Sequence, residues 1–472
     1  MIRKSLLGLL TLLLLLVAVL IVNTLRYVSK QVPIAVIETP TASPDAISRF
    51  QAAIKIQTIS YGDHTRVDSG QFFALHNHLA AAYPNAAKQL TKEVIAGLSL
   101  LFRWEGKNPE LKPVILMAHQ DVVPIEEATR ARWSVDPFGG ELKNDSIWGR
   151  GTVDDKINLV SIMEAVESLI AKGFQPERTI YLAFGHDEEV GGTGAKGIAA
   201  LLQSRGIVAE MVLDEGGIIT SDKIPGMTKP VALIGTSEKG YLSIDLVAEK
   251  NGGHSSQPET ETSIDILAKA IQKIRQSPFE ANFSESTQGF LNHLGPEMPF
   301  VTRIFFANQW LFKSVIIAQY EKSPGGNALM RTTAVPTIIN AGIKDNVIPT
   351  AARATVNFRL LPGDESTEVI ERVKMLVDDP RVRLETRQEF ISEASEVTAE
   401  SSFGYKKVDE TIHKVSANTV TAPFLMIGGT DSRHFGQVSS SIIKFSPMED
   451  PIGFHGINER ISVSSYALAI HF

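Results

Sequence analysis

The sequence predicts an α/β protein carrying an inserted α+β module, and three observations make that prediction. Short apolar runs of strand length recur, most of them stopping at acidic residues or histidine; stretches with helical period alternate with them up to residue 240; and near Tyr241 the order changes to strand, helix, two strands, helix, strand. A chain of 472 residues also exceeds the usual reach of one hydrophobic core, so two domains are expected.

Taken in order, Arg3 and Lys4 precede an almost uninterrupted apolar run from Leu6 to Val22. At ~1.5 Å per residue a helix of that length crosses most of a bilayer, and the basic flank favours a cytoplasmic N-terminus. A signal anchor over residues 1–30 is therefore expected, with the rest of the chain on the extracytoplasmic side. A cleaved signal peptide that releases a secreted protein, and a buried helix of a soluble one, are the alternatives. Gln31 to Pro44, broken by Pro33, Pro40 and Pro44, reads as a linker.

Residues 45–240 form the first part of the main domain. Ala46 to Ile56 and Phe72 to Ala82 are periodic and helical, and Asn158 to Lys172 is an amphipathic helix. Val114 to Ala118 is a continuous apolar run ending at His119, as a parallel strand buried on both faces would read. Thr179 to Phe184 runs into Gly185-His186-Asp187-Glu188-Glu189 in the same way, and Ala209 to Leu213 runs into Asp214. Ligands of open α/β sheets gather at the carboxyl ends of strands, where these polar groups fall. Residues 241–393 supply strands at Leu242–Val247, Ala334–Ile343, Ala352–Leu361 and Arg381–Phe390, with helices at Ser263–Arg275 and Ser366–Val377; residues 278–331 are a helical elaboration within this module. Residues 394–472 return to the main domain.

Composition narrows the function. The net charge is −7 and no Lys/Arg stripe is present, which argues against a nucleic-acid partner. With no cysteine, thiolate sites and disulfides are excluded, leaving imidazole and carboxylate as the strong metal donors. Gly149-Arg150-Gly151 lacks the Lys-Ser/Thr of a phosphate loop. Neutral histidines and ionised carboxylates converging at strand ends, with a spare carboxylate to move protons, are what metal-assisted hydrolysis requires.

His119-Gln120-Asp121-Val122-Val123-Pro124, Trp148 to Lys156, Gly185 to Glu189, Gly253-His254-Ser255-Ser256-Gln257-Pro258, Asn346 to Pro349, Phe358-Arg359, Gly428-Gly429-Thr430-Asp431 and His455 to Glu459 resemble, in order, the motifs of the co-catalytic zinc metallopeptidases that include carboxypeptidase S, aminoacylase and glutamate carboxypeptidase. Within them, Asp214 to Gly217 and Gly235 to Gly240 are most similar to carboxypeptidase S and the N-fatty-acyl-amino-acid synthase/hydrolase. The resemblance implies a phosphorylase/hydrolase-like catalytic domain with a ferredoxin-like lid or dimerisation domain, two Zn2+ per chain, and a homodimer. It implies that Asp154 bridges both ions, that His119 and Asp214 complete one site, and that Glu189 and His455 complete the other. It implies a cis Asp154–Asp155 peptide, Asp121 orienting His119, and Glu188 as general base. His254 is expected to stabilise an oxyanion in the partner subunit's site. Asn346, Arg359, Gly429 and Thr430 are expected to hold substrate, and Arg359 suits a carboxylate. A closing helix shorter than in family members is expected after His455.

The implied reaction is hydrolysis of the amide to a C-terminal amino acid, in a peptide or an N-acyl amino acid. Operation in both directions as a synthase/hydrolase, and a non-catalytic dimeric binding protein, are the alternatives. The other histidines, among them His76, His186 and His293, are read as surface or supporting residues. Phe300, Phe305, Phe306, Trp310 and Phe312 either line a channel for a long acyl chain or pack helices together.

Overall fold

In a computed structural model of the chain, which describes residues 2–386 and 391–472, eight strands form one mixed sheet. Its order is Thr91–Ile95, Ser99–Trp104, Ile180–Gly185, Val114–His119, Met211–Thr220, Ile442–Glu449, Val231–Glu238, Val420–Met426. The centre is parallel: Val114–His119 runs alongside both Ile180–Gly185 and Met211–Thr220, and Met211–Thr220 alongside Ile442–Glu449. Continuous apolar sequence there has a simple cause, because helices cover both faces. On one face Phe50, Ile54, Val160, Met163 and Tyr466 pack on Leu182 and Phe184; on the other Ala195, Ile198 and Leu202 pack on Ile115 and Met117.

A second, antiparallel sheet is ordered Thr333–Ala341, Ala351–Leu360, Gly240–Glu249, Val382–Thr386. Helices Ser263–Gln276 and Ser366–Val377 pack on it through Ile266, Leu267, Ile274, Val369 and Val373. In chain order the strands lie second, third, first, fourth, the ferredoxin-like arrangement of the inserted module. The final strand's expected extension over residues 387–390 lies outside the described residues.

Two segments are placed differently from the sequence reading. The helical elaboration, with helices at Glu285–Leu294, Phe300–Ala307, Gln309–Tyr320 and Pro324–Met330, packs on the outer strand of the large sheet, where Phe290, Leu294, Phe306 and Ile316 meet Val231, Val420 and Ala422. Phe305 and Phe312 pack with tilted rings, centroids 4.8 Å apart, while Phe300 and Trp310 face outward, so helix packing accounts for the buried part of the aromatic string. The linker is pinned rather than free. Gln31 exchanges hydrogen bonds with the backbone of Thr421, Ile37 N–H donates to the Lys414 carbonyl, and the Thr39 hydroxyl to that of Val415. The apolar N-terminal segment is one helix, Ile2–Arg26, long enough to cross a membrane and of the kind found in signal sequences and anchors.

Candidate metal centre

His119 closes its strand at the carboxyl edge of the large sheet. Its Nδ1 lies 3.0 Å from the Asp121 carbonyl and 3.2 Å from Asp121 Oδ1, which leaves Nε2 facing Asp154 Oδ1 at 2.9 Å. The other oxygen, Asp154 Oδ2, is 2.6 Å from Nε2 of His455. Glu189 Oε2 stands 3.4 Å from that same His455 nitrogen, and Glu215 Oε1 3.5 Å from His119 Nε2. One carboxylate thus sits between two imidazoles, with a further carboxylate beside each. Two groups, His119 with Asp154 and Glu189, and His119 with Asp155 and Glu215, bring ligand atoms close enough to hold metal ions.

The positions follow from local structure. Asp154 and Asp155 are joined by a cis peptide at the start of helix Lys156–Ala171. Glu459 holds this loop from the far end of the chain: its Oε1 accepts from the N–H groups of Gly151, Val153 and Asp154 at 3.0, 2.8 and 3.3 Å, and Oε2 pairs with the buried Arg150. Arg150 also donates to the carbonyls of His455 and Gly456, tying the two halves of the centre together. Asp121 accepts from the Ser60 hydroxyl at 2.5 Å and from the N–H groups of Glu188 and Glu189, so one buried carboxylate positions His119 and the acidic turn at once.

Asp214 is not brought into either group. Its Oδ2 accepts from Ser432 N–H at 2.8 Å and its Oδ1 from Glu215 N–H at 2.9 Å, and it is Glu215 that stands beside His119. The physical cause is a bulge. Lys444 pairs with Asp214 and the next residue, Phe445, with Gly217, so Glu215 and Gly216 drop out of the ladder and the Glu215 side chain is re-aimed at His119. Gly216 at φ 144° and Gly217, whose Cβ would lie 1.7 Å from the Leu233 carbonyl oxygen, permit that geometry. Asp155, the other carboxylate near His119, is occupied by the N–H of His119 and the side chain of Asn158.

Glu188 lies next to the centre and, among the described residues, no hydrogen bond holds its carboxylate; Arg433 is its nearest cation, at 4.0 Å. Burial, reinforced by the neighbouring Asp431, pushes Glu188 well above the usual carboxylate range. Burial and the Asp154 charge do the same to Glu215. For His119, burial opposes protonation, but Glu215, Asp121 and Asp154 together hold it well above its ordinary value. Hydrogen bonds to Asp154 and Glu189 raise His455 to about 10. Glu188 and Glu215 resisting ionisation, beside histidines that retain protons, mark a site short of positive charge. The buried Glu189 Oε1 has no hydrogen-bond partner among the described residues. Nitrogen and oxygen donors with no thiolate suit zinc, and cations would supply the missing charge, so the residues fit metal ions.

The remaining residues lie further out. His254, on a two-residue strand paired with Val347–Ile348, is exposed, and among the described residues its imidazole bonds only to Ser256. Asn346 has a buried Oδ1 with no partner among the described residues. Arg359 lies 4.8 Å over the Tyr241 ring. Gly429 borders Arg433, and the Thr430 N–H is taken by Glu238 Oε2 at 3.0 Å, so this turn offers a substrate fewer free N–H groups than its sequence implies. Ser60, Arg433, Glu215 and Glu459 are the centre's residues that motif reading did not assign; only Glu215 and Glu459 carried a signal, each beside or within a quoted motif.

With this geometry in view the comparisons are informative. A model of Peptidase family M20/M25/M40 matches residues 115–472. The chain belongs to that family. It is 36% identical over 469 residues to probable carboxypeptidase S-like 2 of Dictyostelium discoideum, covering 96% of this chain and 90% of that protein. It is 39% identical over 431 residues to the N-fatty-acyl-amino acid synthase/hydrolase PM20D1 of Homo sapiens, covering 90% and 85%. The fold matches that of an M20 family metallo-carboxypeptidase of Sulfolobus solfataricus with a TM-score of 0.67 at 17% identity, over 91% of this chain and 97% of the other. The protein is therefore an M20 metallopeptidase/amidohydrolase similar to carboxypeptidase S and PM20D1.

Proposed function

We propose that this M20 hydrolase binds two zinc ions and cleaves the amide that joins an acyl or peptidyl group to a C-terminal amino acid. The observation that carries the reading is Asp154, with one oxygen turned to His119 and the other to His455. On this reading Asp154 is shared, His119 and Glu215 complete one site, and Glu189 and His455 the other. Three side chains would thus hold each ion, as a catalytic site needs. When bound, zinc supplies Lewis acidity that lowers the pKa of water toward about 7. Glu188, whose carboxylate no hydrogen bond holds among the described residues and whose buried setting raises its proton affinity, takes the proton of the attacking water and returns it to the leaving amine. Asp121 keeps the His119 proton on Nδ1 so that the Nε2 lone pair faces the metal.

Arg359 and Asn346 are assigned to the substrate carboxylate and its amide, supported by the buried unpartnered oxygen of Asn346 and the fork of donors on Arg359. His254 is assigned to the partner subunit's site in a homodimer. Its exposure supports this, as does the lid's edge strand, which leaves Ile338 and Ile339 uncovered. The N-terminal helix is assigned as an uncleaved anchor holding the enzyme on the extracytoplasmic face, with cleavage and secretion the alternative that an intact N-terminal peptide in mass spectrometry would exclude.

The test is hydrolysis of two matched substrates, a long-chain N-acyl phenylalanine and a dipeptide ending in phenylalanine, by zinc-loaded full-length protein in detergent, with Glu188→Gln as the blank. Glu188-dependent cleavage of either supports the reaction. Preference for the acyl substrate assigns the activity for which PM20D1 is named, in which case the reverse condensation is tested next; preference for the dipeptide assigns a carboxypeptidase. No Glu188-dependent cleavage of any substrate, with two ions bound, makes the chain a binding protein. For the dimer, mixed Glu188→Gln and His254→Ala chains recover activity; verified heterodimers that stay inactive remove His254 from the partner's site.

A further inference from the structure

The N-terminal helix is too short, where it stands free, to cross a bilayer alone. Its apolar run begins at Leu6, and side chains are exposed all round only as far as Leu15, about 15 Å of helix at ~1.5 Å per residue. From Leu16 onward one stripe, Leu16, Leu20, Asn23, Thr24 and Tyr27, turns onto the protein and loses exposure. The fastening is specific. The buried Asn308, in the turn between helices Phe300–Ala307 and Gln309–Tyr320, donates to the Leu20 carbonyl at 3.2 Å and accepts from Asn23 Nδ2 at 2.9 Å, while the Tyr27 hydroxyl donates to the Leu291 carbonyl at 2.7 Å.

A hydrocarbon core is ~30 Å thick. Roughly half of it must therefore lie alongside the docked part of the helix, where the protein's own helices are the neighbours. Those two helices carry Phe300, Val301, Trp310, Leu311 and Val315 exposed, Val301 at 69% and Trp310 at 63%. Over residues 300–320 the chain has two basic residues, Arg303 and Lys313, and no acidic one, against a net charge of −7 for the whole. Exposed aromatic and aliphatic side chains with only positive charge among them are the composition of segments that lie in a lipid interface.

We propose that helices Phe300–Ala307 and Gln309–Tyr320 are embedded in the lipid bilayer beside the N-terminal helix, forming a membrane-seated platform. The platform is packed through Phe306 and Ile316 onto the outer strand of the catalytic sheet, so the catalytic domain rests on the membrane in a fixed attitude. This rests on the anchoring reading above, and the experiment separates the two.

Full-length protein is reconstituted into phosphatidylcholine vesicles, floated on a density gradient, and compared in ordinary vesicles and in vesicles brominated at a shallow acyl position. Trp310 is a built-in reporter, since Trp104, Trp133 and Trp148 are buried at 1%, 8% and 9% exposure. The expected result is flotation, bromine quenching of a substantial part of the tryptophan emission, and loss of that quenched part in Trp310→Phe, which retains activity. Flotation with no bromine quenching attributable to Trp310 overturns the platform while leaving the anchor intact, and a blue-shifted but unquenched Trp310 assigns the face to a second copy or another protein. Failure to float overturns the anchor and the platform together.

Discussion

The Glu459 carboxylate is a sharp place to test the reasoning, because it joins the end of the chain to the Asp154 loop. Glu459→Gln keeps an amide oxygen opposite the N–H groups of Gly151, Val153 and Asp154 but removes the charge that faces Arg150. Arg150 is then a buried guanidinium facing only the His455 and Gly456 carbonyls. Breaking a buried ion pair by removing one partner costs about 3–5 kcal/mol. Arg150→Met leaves the opposite orphan, whereas the double variant leaves no buried charge, so the two single costs should exceed the double cost by about 1–3 kcal/mol. The Arg150 guanidinium lies 5.7 Å from the Trp133 ring centre and Arg460 lies 4.3 Å from that of Trp148, so urea unfolding followed by tryptophan emission reports on this region. A single-variant cost below about 1 kcal/mol, or costs that add to within ~0.5 kcal/mol, would refute the account of the buried pair.

Three further outcomes are expected. Glu215→Gln should lower zinc affinity by more than the ~10–100-fold typical of a supporting residue, and Asp214→Asn by no more than that; the reverse order in a competition titration would return Asp214 to the ligand set. Metal binding should release protons near neutral pH, because His455 is raised to about 10 and His119 is raised as well in the metal-free protein, so affinity falls as pH falls; titration calorimetry in two buffers of different ionisation enthalpy that finds no proton release contradicts this. Lys156, buried with its ammonium on the Ala53 and Ile56 carbonyls at the end of helix Pro44–Lys55, is lowered to about 7 by burial. Between pH 7 and 10.5 the unfolded chain therefore holds the proton that the folded chain has lost, and stability rises with pH across that window. Lys156→Met should abolish this rise in urea midpoints measured at pH 7 and pH 10, and an unchanged slope would show the lysine to be charged when folded.

The fold was largely legible because its central strands are buried on both faces and so stand out as unbroken apolar runs such as Val114–Ala118, each broken off by the polar groups that gather at strand ends. The same property hid the placement of Glu215. Met211-Val212-Leu213 is apolar at every residue, which removes the two-residue alternation by which Asp214 and Glu215 could be phased, and the bulge that turns Glu215 inward is a property of pairing with a strand more than 200 residues later. Ser60 and Arg433 reach the centre by tertiary contact alone and have no local signature. The pinned linker was illegible for a related reason: Gln31, Ile37 and Thr39 bond to backbone groups of residues 414–421, and a backbone partner leaves no trace in side-chain sequence. Residues 278–331 read as helical, yet which sheet they would cover was not written in their periodicity.

The span between Asp154 and Glu459 also bears on how the enzyme comes into being. His119 and Asp154 leave the ribosome some 300 residues before His455 and Glu459, whose hydrogen bonds hold the Asp154 loop in place. A growing chain accordingly has His119 and Asp154 long before it has the groups that fix their mutual placement. The loop that carries Asp154 is therefore held in place only after residues 455–459 have been made and have folded back onto it.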